Sequence, residues 1–402
     1  LPLQYADYTV WQRDWLRGEA LNQQLEYWKE QLKDVPPLLE LPTDRPRQAT
    51  ESFRGDVAYL SLPRELSDKL NHLSHKQGTT LFMTLLAGFQ VLLSRYSGQD
   101  DVVVGTAIAN RTNPDLENVI GFFLNTLPLR TRLEGDPSFT EILVRTKETA
   151  LGAYAHQDVP FEKLVEELNP ERNLSHSPLV QVFFVLQNAP MEGLRLPGLD
   201  LKHVPSGIKT VKGDMYLSMV ETPAGLEGRL EYSTDLFDHS TAERMLDQFR
   251  VLLEAAVANP TLTLSQLPLL SVAERKRMLV DWNATQTDFP LDLSLIQHFE
   301  HQVERTPMSV AVVADDQRLS YDELNRRANQ LAHRLEKMGV GPDTLVGVCM
   351  ERSVEMVVAL YGVLKSGGAY VPIDPEYPHQ RVEFMLRDAG VPVLLTQERL
   401  LK

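Results

Sequence analysis

Apolar positions near the start of the chain recur at the spacing of one helix face. Leu21, Leu25, Trp28 and Leu32 align on one side of a helix predicted over residues 19–33. Leu66, Leu70 and Leu73 do the same over residues 63–77, where Gly78 is a natural stop. A long apolar helix follows over 80–96, then a β-branched run from Asp101 to Ala109 that reads as a buried strand. Ser138 and Glu141 form a capping box that opens a helix running to about Tyr154. Val180–Gln187 reads as a strand. Met215–Glu221 and Leu226–Ser233 read as two antiparallel strands around a turn at Pro223–Gly225, and a helix over 240–258 ends before Pro260.

The pattern changes from about 260 to 292. This stretch has linker composition with one short capped helix, Ser271 with Glu274. A second rhythm then begins. Val310–Ala314 is a predicted strand, and Ser320 with Glu323 caps a helix that runs to about Met338 and stops at Gly339. Strands at Leu345–Met350, Ala369–Ile373 and Val391–Leu395 alternate with helices over 353–366 and 378–389. Strand and helix in alternation predict a parallel sheet.

Composition narrows the function classes. Apolar residues are 43% and charged residues 24% of 402, ordinary for a globular chain, and the net charge is −15. An acidic chain without a basic tract is a poor nucleic-acid binder. The longest apolar candidate for a membrane span, Leu81–Leu93, is broken by Thr84 and Gln90 and falls short of about 18 residues. Cys349 is the single cysteine, so neither an internal disulfide nor a cysteine zinc site is expected, which suits a reducing cytoplasm. The chain starts without Met and stops amid an α/β rhythm, and so reads as a piece of something longer.

Common catalytic signatures do not occur. Lys365 precedes Gly367-Gly368, the reverse of a Walker loop, and no dinucleotide fingerprint or nucleophile elbow is present. The pairs His72/His75 and His298/His301 read as solvated helix faces, and no metal is expected. Gly367-Gly368 is either a helix stop or a place for close ligand approach. In Gly121-Phe122-Phe123-Leu124-Asn125-Thr126, the Asn amide must be satisfied by backbone or by a ligand. In His156-Gln157-Asp158-Val159-Pro160-Phe161-Glu162, Asp158 is placed to be a helix N-cap, while His156 has the pKa range of an acid–base group.

These segments together resemble condensation domains of nonribosomal peptide synthetases. Tyr5-Ala6-Asp7-Tyr8-Thr9-Val10-Trp11 is similar to their fourth core motif, Ile120–Thr126 to the fifth and His156–Glu162 to the sixth. Glu171–Leu179 is similar to the seventh, with extra residues before Pro178-Leu179. Further on, Leu319-Ser320-Tyr321-Asp322-Glu323-Leu324 and Leu364–Asp374 resemble the first two core motifs of amino-acid adenylation domains.

The resemblance implies an α/β fold: a chloramphenicol-acetyltransferase-like lobe forming the C-terminal portion of a condensation domain (1–265), a linker (266–292), and an incomplete adenylate-forming, AMP-binding domain (293–402). An incomplete sheet makes the last portion poorly stable alone. The implied parent joins carrier-bound aminoacyl or peptidyl thioesters through a peptide bond and adenylates an amino acid. It uses 4'-phosphopantetheine arms on carrier domains, and ATP with Mg. The partners implied are carrier domains and the rest of the synthetase, without nucleic acid or membrane. Asn125 is the implied active-site residue, donating to an oxyanion or orienting a pantetheine amide, so Asn125→Ala should lower peptide-bond formation and spare adenylation. Gly121, Phe123, His156, Asp158 and Arg172 are implied substrate contacts, Gly121 because it admits the pantetheine arm. Tyr5, Asp7 and Trp11 read as a structural aromatic cluster with one hydrogen-bonded carboxylate. The family's His-His-x-x-x-Asp-Gly motif does not occur among these 402 residues, whose ten histidines are never adjacent, and neither does a Gly-rich phosphate loop. The chain alone is therefore expected to be inactive and to bind no cofactor of its own; the alternative is a silent scaffold.

Overall fold

The computed structural model describes residues 3–170, 173–187, 209–288 and 292–401. The chain divides into two units, residues 1–284 and 285–402. Residues 266–284 therefore group with the first unit. Leu267 is buried there, and Arg95 donates to the carbonyls of Leu264, Ser265 and Leu267.

The first unit opens with α1 (Tyr5–Trp15) and α2 (Gly18–Gln31), followed by β1 (Gly55–Pro63), α3 (Arg64–Gln77), α4 (Leu81–Ser97) and β2 (Asp101–Ile108). Next come β3 (Asn125–Arg132), α5 (Phe139–Ala155), α6 (Phe161–Leu168) and β4 (Val182–Gln187). A hairpin of β5 (Met215–Thr222) and β6 (Gly225–Ser233), then α7 (His239–Ala258) and the short α8 (Val272–Lys276), complete it. Six strands form one mixed sheet in the order β1-β6-β5-β4-β2-β3. Only the β2–β4 and β4–β5 pairings are parallel.

The two faces of this sheet differ. Helices α3, α4, α5 and α7 pack on strands and on one another. Helix α4 runs through the centre of that layer and is buried on all sides from Met83 to Ser94, which is why it shows no polar face. Its buried Gln90 donates to the Leu129 carbonyl at 3.1 Å, and its Thr84 bonds Ser74 at 2.7 Å, so neither polar group is left unpaired. Among the described residues no single helix is long and apolar enough to cross a membrane. Along β4 and β5 the side chains alternate. Phe184, Met215, Leu217 and Met219 are buried in the core, whereas Phe183 and Tyr216 stack on each other and line a cleft.

The hydrophobic pattern does not announce strands β1 and β3. In β1, Ala58, Leu60 and Leu62 alternate inward, but the signal is short and merges with the leucines of α3. Strand β3 is a sheet edge, where Pro128 is tolerated because its missing N–H costs no ladder bond. Its Arg130, only 4% exposed, forks onto Asp101 at 2.8 and 2.6 Å and donates to the carbonyls of Gln31, at the end of α2, and Lys33, just past it. A charge is buried here because every arm of it is used.

The second unit contains α9 (Leu295–Arg305), β7 (Val310–Ala314), β8 (Gln317–Ser320), α10 (Tyr321–Lys337), β9 (Leu345–Cys349), α11 (Val354–Lys365), β10 (Ala369–Ile373), α12 (His379–Asp388) and β11 (Val393–Thr396). The parallel sheet has the order β10-β9-β11. β7 is not part of it. It pairs antiparallel with β8 across Asp315-Asp316, the first in a left-handed conformation, and makes a separate hairpin.

Candidate functional site

A cleft of about 460 Å³ opens on the sheet face that bears Phe183 and Tyr216. Three segments remote in sequence close around it: Tyr5, Tyr8 and Gln12 of α1, residues Phe122–Thr126 entering β3, and the turn from Asp158 to Glu162. Lys212 and Tyr216 also line it. Phe183, Lys212 and Tyr216 lie outside the motif segments, and Tyr8 lies within one that assigns it no role. The alternation in Val182–Gln187 carried a signal for Phe183, since one residue of a Phe-Phe pair in a strand must face away from the core.

The cleft wall is held by an aromatic cluster. Phe123 is buried edge-on to Tyr5, with ring centres 5.2 Å apart, and lies 4.7 Å from Tyr8. The Arg111 guanidinium covers its ring at 4.1 Å. The Tyr5 hydroxyl donates to the Phe122 carbonyl at 2.7 Å, which fixes α1 against the segment before β3. Asp7 accepts from the Gln4 N–H in the cap of α1, and Trp11 stacks on Trp15.

Asn125 ties two of the three segments together. Its Nδ2 donates to the Gln157 and Val159 carbonyls, both at 2.9 Å. Its Oδ1 accepts from the Thr126 N–H at 2.9 Å and the Phe161 N–H at 3.0 Å. Phe161 is the first residue of α6, so a side chain from a β-strand caps this helix from 36 residues away. Both amide hydrogens are spent on backbone, and none is left for an oxyanion or a pantetheine amide. In this structure Asn125 positions the cleft wall.

Two of the implied substrate contacts lie off the cleft, and a third lines it without the capping role expected of it. Gly121 does not line the cleft. A Cβ there would meet the Tyr5 ring at 2.2 Å, so the room that glycine leaves is filled by Tyr5 and not by an incoming arm. His156 also lies off the cleft. Its ring stacks on Tyr27 at 4.0 Å, its Nδ1 meets the Gly152 carbonyl at 2.8 Å, and its own carbonyl accepts from Trp28 Nε1. Asp158 is not the N-cap of α6, because Pro160 occupies that position and Asn125 does the capping. Asp158 instead lines the cleft and pairs with Gln24, which donates from Nε2 to Oδ2 at 2.9 Å and accepts the Asp158 N–H at 3.1 Å. Burial, followed by the nearby Asp158 and Tyr5, pushes the Tyr8 pKa up, so its hydroxyl is a neutral donor near pH 7. Arg172 lies outside the described residues.

The segment around His176 belongs to a second polar centre, which the sequence did not reveal. Arg47 forks onto the buried Asp214 at 2.8 and 2.5 Å and donates to the Ser175 carbonyl at 3.2 Å. Burial and the Asp214 charge raise the pKa of neighbouring Glu51, against the lowering effect of Arg47 and His176.

In the second unit the two glycines have packing roles. Gly367 takes a positive φ just past α11, and a Cβ on Gly368 would meet Val340 at 2.7 Å. Cys349 is buried at the end of β9, and burial together with Asp374 raises its thiol pKa, disfavouring the thiolate. His72, His75, His298 and His301 are exposed on α3 and α9.

Comparison with known proteins places these features. The family described as condensation domain matches residues 1–279, and the family described as AMP-binding enzyme matches residues 299–402. The chain is 51% identical over 406 residues to one of the linear gramicidin synthase proteins of Brevibacillus parabrevis, and 43% identical over 401 residues to gramicidin S synthase 2 of Brevibacillus brevis. All of this chain aligns, but it spans only 8% and 9% of those relatives. Among solved structures, a four-domain nonribosomal peptide synthetase bound to AMP and glycine matches 95% of this chain and 30% of its own, with TM-score 0.79 and 26% identity. The X-domain from teicoplanin biosynthesis matches 67% of this chain and 62% of its own, with TM-score 0.63 and 32% identity.

Proposed function

The chain belongs to the condensation-domain family and continues into the start of an AMP-binding enzyme, and from this we propose that it serves within an elongation module of a nonribosomal peptide synthetase. The cleft of the first unit holds an aminoacyl or peptidyl thioester presented on the phosphopantetheine arm of a carrier domain. The larger protein, a cytoplasmic synthetase, joins two such thioesters through a peptide bond and adenylates an amino acid with ATP and Mg. The 402 residues alone bind substrate without turning it over, since they hold neither a His-His-x-x-x-Asp-Gly motif nor a Gly-rich phosphate loop.

The observation that carries this reading is the cleft itself. Its walls come from three of the segments that resemble the family's motifs, and it joins aromatic faces with a few polar groups. A thioester is already activated, so much of the rate comes from holding two tethered reactants in register. Rigid walls serve that purpose: the Tyr5–Phe123–Tyr8 cluster and the Asn125 tie fix three segments against one another. Tyr216 and Phe183 shield the bound arm from water.

Calorimetric titration of the chain with a pantetheine thioester of an amino acid tests this. Saturable one-to-one binding is expected, weakened about tenfold by Tyr216→Trp, which fills the cleft. Absence of saturable binding, or binding that ignores Tyr216→Trp, overturns the reading and leaves the scaffold alternative.

A further inference from the structure

We propose that Asp158 recognises the protonated α-amine of the aminoacyl group in the cleft, so that this wall selects the amine-bearing arm over an acylated one. The inference rests on the thioester-binding reading above and adds which chemical group the site reads. Asp158 lines the cleft, and Gln24, itself buried, grips its Oδ2 and its backbone N–H. That grip fixes the carboxylate and leaves Oδ1 with no hydrogen bond among the described residues. The Tyr8 hydroxyl lines the same cleft and is likewise without a hydrogen-bond partner among the described residues.

The charged groups facing the cleft are Asp158, Glu162 and Lys212. Among the described residues no ion pair joins Lys212, the one cation lining the cleft, to either carboxylate, so Asp158 is not already neutralised by it. Glu162 is exposed on the first turn of α6, whereas Asp158 is half-buried and held by Gln24. A fixed, partly desolvated carboxylate discriminates an ammonium from an amide more strongly than a mobile one at the rim. Tyr8 and Phe161 add aromatic faces that favour a cation and give an acylated nitrogen no such advantage. Substrate acylated on nitrogen brings no positive charge and leaves Asp158 facing an amide.

The test compares two probes on the full chain: alanyl-aminopantetheine, in which an amide replaces the labile thioester, and its N-acetylated counterpart. Calorimetry is expected to show the free amine binding about tenfold tighter, a preference that shrinks as salt rises. Asp158→Asn is expected to bring the two affinities together, while Glu162→Gln retains the preference. Equal affinities in the unchanged chain overturn the inference while leaving thioester binding intact, and require no variant to fold. A preference that survives Asp158→Asn or vanishes in Glu162→Gln also overturns it. Failure of both probes to bind overturns this inference and the thioester-binding reading together.

Discussion

Asn125→Ala removes a side chain that joins β3 to the turn before α6. Three bonds with long sequence reach are lost: those to the Gln157 and Val159 carbonyls and the cap on the Phe161 N–H. Each neutral bond to a carbonyl contributes about 1 kcal/mol net, and a helix cap about 1 kcal/mol. The fourth bond, to the adjacent Thr126 N–H, is local and easily replaced by water. The sum is about 3 kcal/mol, and the half-buried setting lets water reach part of what is freed, so the expected loss is about 2 kcal/mol. Asn125→Asp is expected to cost at least as much, because it sets a carboxylate against two carbonyl oxygens. Hydrogen exchange read by mass spectrometry localises the effect. Peptides covering residues 156–168 should exchange about thirtyfold faster, the equivalent of 2 kcal/mol, while peptides from α4 should not change. Unchanged exchange over 156–168, with less than about 0.5 kcal/mol lost in a urea transition, would refute the tie.

Other consequences follow from particular contacts. Gly121→Ala drives a methyl into the Tyr5 ring and should cost about 1–3 kcal/mol, whereas the same change on a Tyr5→Ala background should cost far less, as a double-mutant cycle in urea would show. Arg47→Met leaves the Asp214 carboxylate buried and unpaired, so the urea midpoint should fall by the equivalent of about 3–5 kcal/mol; a small change would mean that solvent reaches Asp214. The Glu51 pKa is raised in the folded state, so the native protein binds that proton more tightly and its contribution to stability is lost as pH rises from 4.5 through the raised value. Glu51→Gln should flatten that part of a stability-against-pH curve, and an unaltered slope would contradict the assignment. Limited proteolysis of the whole chain should cut within residues 285–402 before the first unit, since the second unit's three-stranded sheet covers only small apolar clusters.

Most helices were legible in the sequence, because their caps are local. Ser138 with Glu141, Ser271 with Glu274 and Ser320 with Glu323 all form capping boxes, and Gly78 stops α3 with a positive φ. The β5–β6 hairpin was legible for the same reason, its turn lying within Thr222–Gly225. Long-range organisation was not. Nothing local distinguishes β7, which pairs with β8, from the strands of the parallel sheet. The site was legible as segments but not as roles. The Phe122–Thr126 and Asp158–Glu162 segments do meet at the cleft, yet which atoms face it depends on partners far away in sequence. Asn125 faces the backbone because Gln157 and Val159 present carbonyls to it, and Gly121 is small because Tyr5 lies on it. Asp158 meets Gln24 from 134 residues away, a pairing that neither local pattern announces.

A crystal structure of the full chain soaked with alanyl-aminopantetheine addresses the central claim most directly. The expected result places the arm between Tyr8, Phe123 and Tyr216, with its amine within hydrogen-bond distance of Asp158 Oδ1. An arm bound elsewhere, or an empty cleft at concentrations where calorimetry shows saturation, would contradict it.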